Sequence, residues 1–343
     1  MHDAQGSKAL FSHPCFAEAV VALKCRILKS PRGSIFRLCA PTGAGKSEIA
    51  FAIARALAGP PSTWRPGELP VAIVRARKED RGSFSPKHFA SRMHAAVNQP
   101  DIRWALAENQ SGLEPSMEAT ARLTQRSEFW TSLRQNSNEI LIRDACEDSW
   151  IARGVRYVIV DDANAMAAIR GGAKPSDMIQ PWVAGVERTG VSMLFVGTSA
   201  MYSLWDGEGE IQRRAGTNYV RRYRIEIQAD RKAFISLLVS MTKGSEWEKV
   251  DIRRHAEEIY FVTFGIFGQV KKLLFDASNN AAAAERKHVT TDDLYAARPN
   301  KHELQRIAAR IAEYDLLSAP ATHDFAKEIY ATIVQGKSPA GTP

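Results

Sequence analysis

Along this chain the apolar residues follow two rhythms. Between residues 34 and 227, short unbroken apolar runs alternate with stretches in which apolar residues recur every three or four positions; beyond residue 230 only the second rhythm continues. Unbroken runs of four to eight residues mark strands buried on both faces, whereas recurrence at i, i+3 and i+4 marks a helix with one apolar face. The runs predict strands over 34–39, 71–74, 154–162, 192–199 and 223–227. A first helix is predicted from Pro14, capped by Ser12 and stopped by Pro31-Arg32-Gly33, with Phe16, Val20, Leu23, Ile27 and Leu28 on its apolar side. Further helices fall over 48–57, 86–97 and 128–152. The last breaks near Asn136-Ser137-Asn138 and turns Phe129, Trp130, Leu133, Ile140, Leu141 and Cys146 inward. Residues 98–118 carry no rhythm, with Trp104 as their apolar anchor. Strands alternating with helices give an α/β fold around a parallel sheet.

Past residue 230 the helices predicted over 233–241, 252–260, 267–284 and 291–297 form a second, all-helical unit. Thr290-Thr291-Asp292-Asp293 is a helix start of the usual composition. Two more helices, over 302–317 and 324–334, make a tail that is either a partner-docking peptide or a packed helical end. Its final stretch, 336–341, is expected to be disordered.

Two apolar runs end in residues suited to chemistry. The first feeds Ala40-Pro41-Thr42-Gly43-Ala44-Gly45-Lys46-Ser47-Glu48 and then an Ala-rich helix. Gly43 and Gly45 let the backbone bend so that successive N–H groups face phosphate oxygens, and the helix start adds the positive end of its dipole. Lys46 would reach the outer phosphates and Ser47 would ligate magnesium. The spacing matches G-x-x-x-x-G-K-[ST] except at its first position, where Ala40 stands. Thr42, Gly43, Ala44, Gly45, Lys46, Ser47 and Glu48 are therefore the predicted ATP-binding residues. The second run ends in Asp161-Asp162, at a strand's carboxyl end, where open α/β sheets hold ligands. Asp161 would hold the magnesium, directly or through water. Asp162 either orients the water that attacks the terminal phosphate or caps the next helix. Thr198, closing the 192–199 run, has the same two readings: a bond to that water or the γ-phosphate, or a cap.

Composition narrows this only slightly. The 343 residues suffice for two packed domains. With 45% hydrophobic and 24% charged residues the chain reads as a soluble globular protein. Lys and Arg total 46 against 38 Asp and Glu, a formal charge of +8 that leans toward a polyanionic partner. Cys15, Cys25, Cys39 and Cys146 form no C-x-x-C pair, and no His is spaced to complete a zinc site, so reduced packing cysteines are expected. No signal peptide or membrane-spanning run is legible, and a cytoplasmic location is expected.

The order of phosphate loop, strand, Asp-Asp strand, small-polar strand, Arg pair and helical lid resembles the AAA+ ATPases, and among them the transposition ATPases of the TniB and TnsC type, relatives of MuB. His13-Pro14-x-Phe16, Arg153-Gly154-Val155-Arg156, and Phe195-Val196-Gly197-Thr198 followed by Gln212-Arg213-Arg214 and Arg222-Tyr223 carry that resemblance over residues 13–295. It implies a five-stranded parallel sheet with a C-terminal all-helical lid. The domains would be a flexible N-terminus at 1–12, an AAA+ nucleotide-binding domain at 13–228, a lid at 229–298 and a helical tail at 299–343. It also implies ATP-dependent rings or helical filaments on double-stranded DNA, marking a target, meeting a target-selection protein and recruiting a transposase. Carried onto this chain, His13 joins the ATP-binding residues and Thr198 is the sensor after the fourth strand. Arg213 or Arg214 becomes the finger reaching a neighbour's γ-phosphate, and Lys271 occupies the second sensor position. Arg77, Lys78, Arg81 and Lys87 are the implied contacts to DNA phosphates, in the segment that faces the bore in such assemblies. Two departures have consequences. Asp162 replaces the usual Glu and is one methylene shorter, which implies weak hydrolysis. Lys271 replaces an Arg and loses its planar fork.

Two other functions fit parts of the pattern. A replication-type AAA+ initiator or helicase loader shares the ATPase core, but the tail shows no clear recognition helix. A small-molecule kinase shares the phosphate loop, but not the Asp-Asp strand, the Arg pair or the large lid.

Overall fold

A computed structural model describes residues 14–79, 82–105, 135–169, 172–205 and 215–334. Five strands, β1 (Ile35–Cys39), β2 (Val71–Arg75), β3 (Tyr157–Asp161), β4 (Ser192–Gly197) and β5 (Ala215–Tyr219), form one sheet in the order β2-β3-β4-β1-β5. Every neighbouring pair is parallel. β1 and β4 lie side by side in the middle and are buried along their whole length, as their unbroken apolar runs require. The exception in composition is Arg37 of β1. Its guanidinium lies over the rings of Tyr202 and Trp205, 5.8 and 5.1 Å from their centroids, and burial lowers its pKa.

Helices cover both faces. α1 (Pro14–Lys29) and α2 (Lys46–Ala58) bring Leu23, Ile27, Ile49 and Ile53 onto Leu38 and Val196. On the other face lie α3 (Pro86–Asn98), α4 (Glu139–Ala152) and α5 (Gln180–Thr189), where Phe89, Trp150 and Trp182 pack together. The Phe89 and Trp182 rings meet edge to face at 5.4 Å. Burying each such side chain contributes about 1.5–3 kcal/mol.

In two helices, α1 and α4, the buried stripe differs from the expected one. In α1 the buried line is Cys15, Ala19, Leu23 and Ile27, spaced by four, and Leu28 is exposed. In α4 the line Ile142, Cys146, Trp150 faces inward, whereas Ile140 and Leu141 are exposed just after the Asn138 cap. Phe129, Trp130 and Leu133 lie outside the described residues. The expected strand over 223–227 does not form. The fifth strand is Ala215–Tyr219, and the following segment leaves the sheet because its side chains are claimed elsewhere. Arg221 bonds Glu18 and Asp230, each at 2.6 Å, Arg222 pairs with Asp315 at 2.7 Å, and Tyr223 is buried among lid residues.

The lid comprises α6 (Gln228–Met241), α7 (Ala256–Thr263), α8 (Phe267–Ala283) and α9 (Thr291–Ala296), with its own core of Phe234, Leu238, Tyr260, Val270 and Leu273. Beyond it run α10 (Lys301–Ser318) and α11 (His323–Val334). α10 is a packed end rather than a free peptide. Tyr314 is buried on the sheet's core, and its hydroxyl donates to the carbonyls of Cys39 and Val220 at 3.0 and 2.9 Å. Among the described residues no helix is long and apolar enough to cross a membrane.

Candidate nucleotide site

The loop between β1 and α2 has the backbone its sequence demands. Gly43 and Gly45 have φ of 89° and 78°, the left-handed region that L side chains resist. A Cβ on Gly45 would meet nothing, so conformation rather than space calls for glycine there. Lys46 opens α2, which places Ser47 and the half-buried Glu48 in its first turn. The parallel sheet brings the end of β3 beside this turn. Ser47 Oγ donates to Asp161 Oδ2 at 2.8 Å, and Asp161 Oδ1 accepts the Asp162 N–H at 2.9 Å. Asp161 is nearly buried. Lys46 Nζ donates to the Pro41 carbonyl at 3.2 Å. Burial lowers its pKa, opposed by the charges of Asp162 and Asp161.

These groups fit the ligands expected of them. A hydroxyl and a carboxylate are the hard oxygen donors that magnesium prefers. No group of three or more His, Cys, Asp or Glu able to hold a metal occurs among the described residues.

Asp162 does not cap the turn that follows it. Its backbone is left-handed, with φ of 54°, and its side chain makes no capping bond. The carboxylate instead meets Arg75, with Oδ2 2.6 Å from Nε and 2.5 Å from Nη2, and this bond raises the Arg75 pKa. Arg75 was not among the predicted site residues. The signal for it is positional: it ends β2 directly opposite Asp161 in the parallel register.

Thr198 ends β4's extension and likewise makes no capping bond; its N–H donates to Asn164 Oδ1 at 3.4 Å. Thr198 and Thr42 line one cleft of about 390 Å³, together with Asn164, Gln269 and Arg310. The lid reaches this cleft through the start of α8, where the Gly268 N–H donates to the Gly43 carbonyl at 2.8 Å. Lys271 is exposed and is not part of the cleft lining. Gln269, two residues earlier, lines it.

The predicted DNA contacts divide. Arg77 and Lys78 are exposed, and their side chains make no hydrogen bond or ion pair among the described residues. Lys87 is half-buried and donates to the Gln135 carbonyl at 3.0 Å, so it is already engaged. Arg81, His13, Arg213 and Arg214 lie outside the described residues. Arg153, one of the resemblance motifs, is held by the carbonyls of Gly67 and Val97 and ties α4 to the loop before β2.

No protein-family model matches this chain, and no curated protein matches it. Solved structures do. The Aeropyrum pernix ORC1 protein, solved in complex with DNA, superposes with a TM-score of 0.53 at 14% identity, over 95% of this chain and 79% of that one. The ADP form of the A. pernix ORC2 protein gives 0.51 at 15%, over 96% and 81%. A Walker-type ATPase of Pyrococcus abyssi gives 0.52 at 12%, over 87% and 73%. The chain thus shares the fold of these proteins, a parallel α/β sheet followed by a helical second part. More narrowly, its fold is the AAA+ fold.

Proposed function

We propose that this protein binds ATP with magnesium, assembles on duplex DNA and regulates DNA transposition, linking a target-selection protein to a transposase. The observation that supports the ATP reading is the 2.8 Å bond between Ser47 and Asp161, beside a glycine loop with left-handed backbone. Magnesium, when bound, would neutralise part of the phosphate charge. Gly43, Gly45 and Lys46 would cradle the phosphates, Ser47 and Asp161 would hold the cation, and Thr198 would face the outer phosphate. Hydrolysis would be slow, because Asp162 is short and its carboxylate is engaged by Arg75. Arg213 or Arg214 would complete a neighbour's site, so that hydrolysis waits on assembly. Arg77 and Lys78 would meet DNA phosphates with little regard for sequence.

The transposition assignment rests on the sequence motifs Phe195-Val196-Gly197-Thr198 and Arg222-Tyr223 with those around them. A replication-type initiator or helicase loader is the second reading, favoured by the fold likeness to the A. pernix ORC proteins. Electron microscopy with a non-hydrolysable ATP analogue and duplex DNA tests the shared core. Wild-type protein is expected to form rings or filaments on the DNA and Lys46→Ala to form none. Equal assemblies from both would refute the ATP-dependent reading. Adding candidate partners then separates the two finer readings: stimulated strand transfer by a transposase supports the first, and loading of a replicative helicase supports the second.

A further inference from the structure

Among the described residues, the lid lends no cation to the cleft lined by Thr42 and Thr198. Lys271 is exposed and does not line it; from the same helix only the neutral Gln269 does. A cationic side chain reaches the cleft from an unexpected element. α10 is fixed across the end of β1 by the Tyr314 hydroxyl, which bonds the carbonyl of Cys39, the residue just before the phosphate loop begins. It is fixed a second time by Asp315, which accepts Arg222 at 2.7 Å. Residues three and four apart share a helix face, so Ile307, Arg310, Ile311 and Tyr314 all point toward this contact. Arg310 thereby lines the same cleft as Thr42 and Thr198. It is exposed and makes no hydrogen bond or ion pair among the described residues. Glu313 also borders the cleft, so the local charge is not uniformly positive. Arg306, one turn back, borders only the adjoining cavity between α8 and α10.

We propose that Arg310 is a nucleotide-binding residue that reads the terminal phosphate of a nucleoside triphosphate within its own subunit, taking the place expected of Lys271. The inference rests on the ATP reading above. A guanidinium held on a doubly anchored helix can offer two N–H donors to a phosphate in a fixed plane, which an ammonium cannot. A diphosphate lacks the terminal phosphate, so Arg310 would favour triphosphate over diphosphate. It would also join the C-terminal helix to the state of the nucleotide.

The test is calorimetric titration of the full chain with magnesium and either a non-hydrolysable ATP analogue or ADP. Four proteins are compared: wild type, Arg310→Gln, Lys271→Gln and Lys46→Ala. Arg310 is exposed, so its replacement should leave the fold intact, which a thermal melt checks. The expected result is that Arg310→Gln weakens the ATP analogue about tenfold or more while ADP changes less than about twofold, with Lys271→Gln near wild type for both. If Arg310→Gln leaves the analogue unchanged, or weakens both nucleotides alike, while Lys46→Ala abolishes binding, the role of Arg310 is overturned and the ATP reading stands. If Lys46→Ala binds both nucleotides as wild type does, the ATP reading itself fails, and this inference with it.

Discussion

At the end of β2, Arg75 holds the Asp162 carboxylate beside the phosphate loop. The carboxylate that would orient water is engaged by a guanidinium at 2.5–2.6 Å. Both side chains are partly exposed, so the pair is worth only about 0.2–1 kcal/mol. Arg75→Ala is therefore expected to raise the ATP turnover rate by up to about fivefold at unchanged nucleotide affinity, read by phosphate release. A fall in turnover would mean that Arg75 positions Asp162 rather than withholding it. At this scale the sequence was partly legible. Ser47 and Asp161 could be paired because Asp161 ends one strand, Ser47 lies in the first turn of the helix after another, and parallel strands end together. Arg75 could not, because its partner lies 87 positions away and is chosen by strand register, which residue types alone do not specify.

Among elements, the seating of α8 on the phosphate loop is exposed to a single change. A Cβ on Gly268 would lie 2.6 Å from the Gly43 carbonyl oxygen and 2.7 Å from its Cα, and both are backbone atoms that cannot step aside. Gly268→Ala should cost about 1–3 kcal/mol in a urea melt, with weaker nucleotide binding as the lid lifts. Gly244→Ala is the control, expected to stay within about 0.5 kcal/mol, because its nearest neighbour, a glutamate side-chain carbon, is 3.6 Å away. Equal effects of the two changes would show that close packing at Gly268 does not matter. Strands β1 to β4 and the lid helices were legible because their apolar spacing is unambiguous. The fifth strand was not. Ala215-Gly216-Thr217-Asn218-Tyr219 is weakly apolar, and the more apolar segment near Tyr223 was spent on packing against the lid. Arg26 covers this edge from α1, its guanidinium donating to the Thr217 carbonyl at 2.7 Å.

At the scale of the whole molecule, the phosphate loop is where three bodies meet. The sheet supplies Asp161 and Thr198, the lid supplies the Gly268 contact, and the C-terminal helix supplies Tyr314 and Arg310. The two-part architecture could be read from the change of rhythm near residue 230. The return of α10 onto β1 could not, because it depends on one tyrosine hydroxyl finding two carbonyls some 275 and 94 positions away. A ligand bound at such a junction would bear on all three bodies, which is what an assembly switched by ATP requires. Such a switch requires magnesium-dependent nucleotide binding at Ser47 and Asp161. The direct measurement is calorimetric titration of a non-hydrolysable ATP analogue into wild-type and Ser47→Ala protein, each with magnesium and with a chelator. Removing magnesium is expected to weaken wild-type binding about tenfold or more, and Ser47→Ala to lose most of this dependence. Wild-type affinity that is the same with and without magnesium, or no binding at all, would contradict it.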